Sequence, residues 1–364
     1  MIILGLMTGT SMDGLDACLV NLNVDEENRL FIGSVKVEFF SYPVKLKKSI
    51  INIVHNQNFD NINILNKDLG LFFFESSKKI LINENIDIIS LHGQTISHTD
   101  SKESIQIGCP KYLFEYFNIP IIYNFRSLDI KLGGTGAPLM PFLDWMIYKD
   151  SKIDTITLNI GGISNITYIP KNGNRNQVVG FDVGPGMCLI DRYVKLYWNK
   201  EMDYNGKYSK DGVVDSLLLK NLIDNKFILK KPPKSASVED YDTIYLNKLI
   251  EKFKNIPSEN FIRTLVNYTT YCIIDNINRF LNLDEKFQLI ISGGGINHPL
   301  ILSDLKKSLY PDKIERFNFN GIDHNYKESF LMSLLGYCKI KNIPNNMPSV
   351  TGAKKLDVYG EIYE

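Results

Sequence analysis

The chain has little that would tie it to an oxidising, nucleic-acid or membrane setting. Its five cysteines, Cys18, Cys109, Cys188, Cys272 and Cys338, are odd in number, scattered and never spaced as CxxC. That usage excludes a disulfide framework and a thiolate zinc site. It fits a reducing compartment, so a cytoplasmic protein is expected. Net charge is absent, with 41 Lys and Arg against 41 Asp and Glu, which argues against bulk electrostatic binding to nucleic acid or an anionic membrane. No apolar run is long enough to span a bilayer, and no basic segment precedes the strand-like Ile2–Met7, so neither a signal peptide nor a membrane anchor is expected. The first glycine-rich turn is also not a P-loop, because no Gly-Lys-Ser/Thr follows it.

What is present is an ordinary globular composition. The 364 residues are 44% hydrophobic and 23% charged, enough for two domains with a core each. Ile2–Met7 reads as a buried strand, Thr8-Gly9-Thr10-Ser11-Met12-Asp13-Gly14 as a turn, and Leu15–Val20 as a second strand. Consecutive amides in such a turn can form a phosphate nest, and Asp13 can orient a hydrated Mg²⁺. A plain hairpin with a long turn is the alternative. Thr155–Ile160, Gly161-Gly162-Ile163-Ser164-Asn165 and Ile166–Ile169 repeat the theme. Two such hairpins suggest an internal duplication, each copy a three-stranded meander followed by a helix, with the turns facing each other across a cleft.

The stretch Val178–Asp191 places a single carboxylate, Asp182, at an expected strand end before Gly184-Pro185-Gly186. A catalytic base suits that position, and so does a turn Asp bonding its own backbone. Ile86–Leu91 reads as a buried strand ending in His92-Gly93-Gln94-Thr95, where ligand contacts are expected in an α/β sheet. Arg126 and Asp129 read as sugar or phosphate contacts or as surface charges. Gly133-Gly134-Thr135-Gly136-Ala137-Pro138 lines a ligand or forms a hinge. Asn199–Tyr245 is polar and weakly periodic, with a basic, proline-marked Lys230–Ser235. Ser258–Leu281 is an amphipathic helix with Ser258 as N-cap. Gly293-Gly294-Gly295 follows a strand and suits a nucleotide base or ribose, or simply a crowded turn.

Taken together, Gly5–Asp16 (GLMTGTSMDGLD), Leu91–Thr95 (LHGQT), Phe125–Pro138 (FRSLDIKLGGTGAP), Asn159–Asn165 (NIGGISN), Phe181–Asp191 (FDVGPGMCLID), Pro232–Ser235 (PPKS), Gly293–Pro299 (GGGINHP) and Thr351–Ala353 (TGA) resemble the anhydro-N-acetylmuramic acid kinase family. The resemblance implies an α/β fold of the actin-like ATPase (ribonuclease H-like) kind, with duplicated mixed sheets flanked by helices. It has two lobes, 1–133 with 343–364 and 134–342, and an active site in the cleft between them. It implies ATP as co-substrate with Mg²⁺. The phosphates would lie on Gly9, Thr10, Ser11, Met12, Asp13, Gly14, Leu15 and Asp16 and on Gly161 and Gly162, and adenosine near Gly293, Gly294 and Gly295. Asp182 would be the catalytic base, with Glu328 a second acidic candidate. His92, Gln94, Thr95, Arg126, Asp129, Gly134, Gly136, Ala137 and Pro138 are candidate substrate contacts.

The family's reaction opens the 1,6-anhydro ring of its amino-sugar substrate with water and phosphorylates O6, in peptidoglycan recycling in the bacterial cytoplasm. A homodimer is implied. Compared with the family pattern, Val183 stands in place of Thr, Met187 of Asn, Asn124 of Asp, Asp144 of His and Thr135 of Gln. Ala236-Ser237-Val238 replaces Thr-Gly-Arg. These departures keep open a kinase of a related sugar and an ATP-binding sensor without catalysis.

Overall fold

The computed structural model describes residues 1–9, 11–56, 59–283 and 286–364. Thr10, one of the expected phosphate contacts, lies outside them. The chain divides into two compact units: Met1–Ile147 with Asn318–Glu364, and Tyr148–Phe317.

In chain order, the first stretch carries β1 (Ile2–Met7), β2 (Gly14–Val24) and β3 (Leu30–Ser41), then α1 (Val44–Asn56) and α2 (Ile62–Ile80). β4 (Ile88–Leu91), the hairpin β5 (Gln94–Thr99) and β6 (Glu103–Ile107), α3 (Lys111–Phe117), β7 (Ile121–Tyr123), α4 (Ser127–Lys131) and α5 (Met140–Tyr148) complete it. The second unit contains β8 (Asp154–Ile160), β9 (Ile163–Ile169), β10 (Val179–Pro185), α6 (Cys188–Trp198), α7 (Ser216–Ile223), α8 (Lys226–Leu229), α9 (Thr243–Lys252), α10 (Ser258–Phe280), β11 (Phe287–Ser292), α11 (Pro299–Leu309) and β12 (Lys313–Arg316). The chain then returns to the first unit with β13 (Asn318–Phe319), β14 (Ile322–Asp323), α12 (Lys327–Ile340), α13 (Pro348–Thr351) and β15 (Glu361–Tyr363).

Each unit has the sheet its sequence pattern demands. In the first, the order is β15-β7-β4-β1-β2-β3. β1 pairs antiparallel with β2 and parallel with β4. Its apolar run sits centrally, buried along nearly its whole length, as a strand covered on both faces requires. β3 has the exposed, alternating pattern of an edge strand. In the second, the order is β10-β9-β8-β11-β12, with two antiparallel and two parallel pairings. The same five-strand order, 3-2-1-4-5 counted within each unit, therefore occurs twice. That topology is the duplicated ribonuclease H-like fold.

Leu4, Leu6, Leu15, Leu69, Phe73 and Ile89 anchor one core. Phe181, Val183, Tyr193, Phe261, Tyr268 and Leu289 anchor the other. Among the described residues no helix is long and apolar enough to cross a membrane.

Four expectations are revised. The boundaries at 133/134 and 342/343 fall instead near 147/148 and 317/318. The cause is α12, which packs across β1, β2 and β4, and α5, whose Asp144 pairs with Lys327 at 2.6 Å. β10 does not stop at Asp182 but runs through it to Pro185, with a register shift between Asp182 and Gly184. Ser258 is the first helical residue of α10, and Pro257 occupies the cap position with no side-chain cap. The segment 199–245 is not featureless, since α7 and α8 lie within it. Asp215 caps α7 by accepting from the Leu217 and Leu218 amides, and Asn225 caps α8 by accepting from Phe227.

Candidate active site

In the first unit, the β1–β2 turn brings a set of carboxylates together. Asp16 lies on β2 opposite Met7. Asp13 accepts a hydrogen bond from the Ser11 hydroxyl at 2.6 Å, and the Met12 amide bonds back to the Gly9 carbonyl at 3.3 Å, closing the turn. Glu328 sits in the first turn of α12, its Oε2 4.0 Å from where a side chain on Gly9 would begin. Burial, then the charges of Glu328, Asp13 and Asp323, push the Asp16 carboxyl up from 3.8 to about 7. Glu328 still meets solvent, yet desolvation pushes its carboxyl up while Arg126, then Lys327, pull it down.

Among the described residues no cluster of His, Cys, Asp or Glu is tight enough to hold a metal alone. The donor chemistry nevertheless suits a hydrated divalent cation that keeps water and phosphate ligands. Three carboxylates load a fourth with like charge beside the β1–β2 turn, and Asp13 and Asp16 are the residues that would hold such an ion.

Gln94 supports that turn, and His92 and Arg126 bond one another near it in the chain's first unit. The Arg126 Nε donates to His92 Nε2 at 3.0 Å, and its Nη1 donates to the Gly136 carbonyl at 2.9 Å. His92 Nδ1 lies 2.7 Å from the Gly93 carbonyl. Burial, then the Arg126 charge, push the imidazole down to about 3, so it is neutral with both nitrogens engaged. This geometry leaves it no part as a base. Gln94, fully buried, donates to the Gly9 carbonyl at 3.2 Å and accepts from the Tyr42 hydroxyl at 3.1 Å, which makes it a brace of the β1–β2 turn. Thr95 accepts from Gln106 at 3.2 Å.

Asp129, expected as a sugar contact or a surface charge, is fully buried. Its carboxylate accepts from the Gly136 amide, the Thr351 hydroxyl and the Tyr359 hydroxyl, each at 2.7 Å. The Gly134 amide bonds its carbonyl at 2.9 Å. The glycine run through Ala137 and Pro138 is therefore folded around an internal carboxylate.

In the second unit, the β8–β9 turn is tied to the start of α6. The Gly161 carbonyl accepts from the Met187 amide at 2.8 Å, and the Gly162 carbonyl from the Gly186 amide at 2.8 Å. Asp182, half-buried on β10, stands opposite Asn165. Its Oδ2 accepts from the Ala236 amide at 2.8 Å and from the Ser235 hydroxyl at 3.3 Å. Of the three glycines after β11, only Gly294 faces open space. A Cβ at Gly293, which has φ 83°, would meet Ile160 O and Asn159 Oδ1 at 2.6 Å, and one at Gly295 would meet Ile160 Cγ2 at 2.3 Å. Crowding accounts for two positions, and Gly294 is the one a ligand can approach. Behind the turn, His298 Nε2 lies 3.2 Å from Asp203 Oδ2, which also accepts from Ser209 at 2.6 Å.

The departures from the family pattern also find places. Val183 and Met187 belong to the core of the second unit. Asn124 takes a left-handed φ of 55° and bonds Glu361 and Ser127. Thr135 bonds the Ala137 and Thr351 carbonyls. Ala236 bonds Asp182 through its backbone, which any residue but proline supplies.

A twice-repeated ribonuclease H-like sheet, with a glycine turn in each copy and carboxylates beside one of them, defines the class: a nucleotide-dependent phosphotransferase of the sugar-kinase and actin-like kind. The family model described as Anhydro-N-acetylmuramic acid kinase matches residues 1–364. Relatives named anhydro-N-acetylmuramic acid kinase are 32% identical in Clostridioides difficile (strain 630) and in Francisella tularensis subsp. novicida (strain U112), each alignment covering 98% of this chain and 97% of the relative. A solved ROK family glucokinase from Streptomyces griseus, in complex with glucose and AMPPNP, is 12% identical with a TM-score of 0.39, covering 92% of this chain and 98% of that one. The chain belongs to the anhydro-N-acetylmuramic acid kinase family.

Proposed function

We propose that this chain opens 1,6-anhydro-N-acetylmuramic acid with water and transfers the γ-phosphoryl group of ATP to O6. The products are N-acetylmuramic acid 6-phosphate and ADP, and the setting is peptidoglycan recycling in the bacterial cytoplasm. The observation that carries the proposal is the carboxylate of Asp182, half-buried and oriented by two donors, in a chain that belongs to this family. Asp182 takes a proton from the attacking water. The water oxygen bonds to C1, the C1–O6 bond breaks, and the O6 so released attacks the γ-phosphorus as ADP departs.

The turn amides of Gly161 and Gly162 and of the β1–β2 turn position phosphate oxygens, and Gly294 faces the nucleoside. Arg126 and Glu328 set the charge beside the first turn, with Glu328 the second acidic participant. A divalent cation, when bound, offsets charge on the phosphates. His92, Gln94, Thr95, Asp129, Gly134, Gly136, Ala137 and Pro138 serve the site by holding its framework. The family reading also carries a homodimer, which sedimentation velocity tests.

The test of the reaction is a short incubation with ATP and the anhydro sugar in ¹⁸O-labelled water. The heavy oxygen is expected on C1 of the sugar product and not in its phosphate. Label in phosphate, or no phosphosugar at all, would overturn the proposal.

A further inference from the structure

We propose that Lys234 is a positioning residue for the catalytic base: its ammonium, caged by three aromatic rings, anchors the segment 234–236 that aims the Asp182 carboxylate. The inference rests on the reading of Asp182 as the base.

Lys234 is only 5% exposed, which is rare for lysine and costly unless the charge is compensated. Compensation comes from two sources. Its Nζ donates to the Phe227 and Ile228 carbonyls at 3.1 and 3.0 Å. The same nitrogen lies 4.7 Å from the Phe227 ring centre, 5.2 Å from Phe280 and 5.8 Å from Phe181. An ammonium so enclosed cannot reach a phosphate or a sugar, so a direct ligand role for the lysine of the PPKS motif is excluded in this geometry.

Its connections lead to Asp182 instead. Phe181, one wall of the cage, immediately precedes Asp182 on β10. The Lys234 carbonyl accepts from the Asp182 amide at 3.2 Å, and the next two residues donate to Asp182 Oδ2. Three consecutive residues thus grip the backbone and the side chain of one carboxylate and fix the plane of its carboxyl group. A water nucleophile needs its base held in such a fixed plane. Donation from Ser235 and Ala236 also favours the ionised form of Asp182, the form that accepts a proton. The charged and titratable groups facing the ammonium are Asp182 on β10, Cys272 and Asp275 on α10, and Lys230 on the approach from α8. Burial is the largest influence and pushes the amine down to about 8.

The experiment compares Lys234→Met, Ser235→Ala and Asp182→Asn with wild type in sugar-dependent ADP release, with pH profiles and thermal melting. Lys234→Met is expected to lower kcat at least about tenfold while the KM for ATP stays within about twofold. Ser235→Ala, at an exposed position, is expected to move the acid limb of kcat/KM for the sugar upward by about half a pH unit. A folded Lys234→Met with wild-type kcat, or a Ser235→Ala profile superimposable on wild type, overturns the inference while an inactive Asp182→Asn leaves the base intact. Normal turnover by Asp182→Asn overturns the reading beneath it. If Lys234→Met does not fold, the Ser235→Ala profile decides.

Discussion

The buried pair between Asp144 and Lys327 joins α5 to the first turn of α12, directly before Glu328. The charged groups are 2.6 Å apart, with side chains 1% and 5% exposed. At that burial neither charge has much water to fall back on. Asp144→Ala would leave an ammonium in the core of the first unit, and the cost of breaking such a pair from one side is about 3–5 kcal/mol. For a unit of this size that corresponds to a fall in Tm of roughly 6–20 °C.

Removing both charges is a different perturbation. Asp144→Leu with Lys327→Met replaces the pair by apolar volume and should recover stability to within about 1 kcal/mol of wild type. Urea melts of Asp144→Leu, Lys327→Met and the double variant measure this as a double-mutant cycle, with Asp144→Ala melted beside them. A loss below about 1 kcal/mol for Asp144→Ala, or a double variant as unstable as the single, would refute the reasoning, because the pair would then not be desolvated.

Two further outcomes are expected. The folded value of Asp16 lies above its unfolded one, so the folded protein holds an extra proton between 3.8 and about 7, and stability falls as pH rises through that window. A divalent cation at these carboxylates substitutes for the proton, so MgCl₂ with ATP should raise Tm more at about pH 8 than at about pH 5.5, with the difference lost in Asp16→Asn; equal gains at both pH values would contradict it. Gly186→Ala would set a Cβ 2.2 Å from the Gly161 carbonyl, so it should destabilise by about 1–3 kcal/mol and weaken ATP binding measured by calorimetry. Wild-type melting and affinity would show that the turn and α6 are not so closely joined.

Much of the fold was legible because local pattern and tertiary role agree. The all-apolar β1, the glycine turn and the alternating β2 announce a hairpin, and the repeat at Thr155–Ile169 announces the duplication. The unit boundaries were not legible, because α12 and β15 return to the first sheet across the whole second unit, and no local signal encodes a long-range docking. α7 and α8 were hidden by shortness. Each buries only one or two side chains, Leu218 and Leu222 in α7 and Ile228 in α8, and periodicity needs more than that.

Asp182, Glu328 and the glycine turns stood out in the sequence, yet the partners that orient them did not. Lys234 looked like one charge in a basic loop, although it sits among three rings contributed by separate segments. Asp129 looked available to a ligand. Its hydroxyl partners Thr351 and Tyr359 lie more than two hundred residues away, so its burial could be known only from the folded chain.

The proposed role of Asp182 is that of the base in a sugar-dependent phosphoryl transfer. The most direct measurement is ADP release from Mg·ATP with 1,6-anhydro-N-acetylmuramic acid, for wild type and Asp182→Asn side by side. Turnover is expected to require the sugar and to fall about 10²–10⁴-fold in the variant with ATP binding retained. ADP release that ignores the sugar, or a variant that turns over at the wild-type rate, would contradict it.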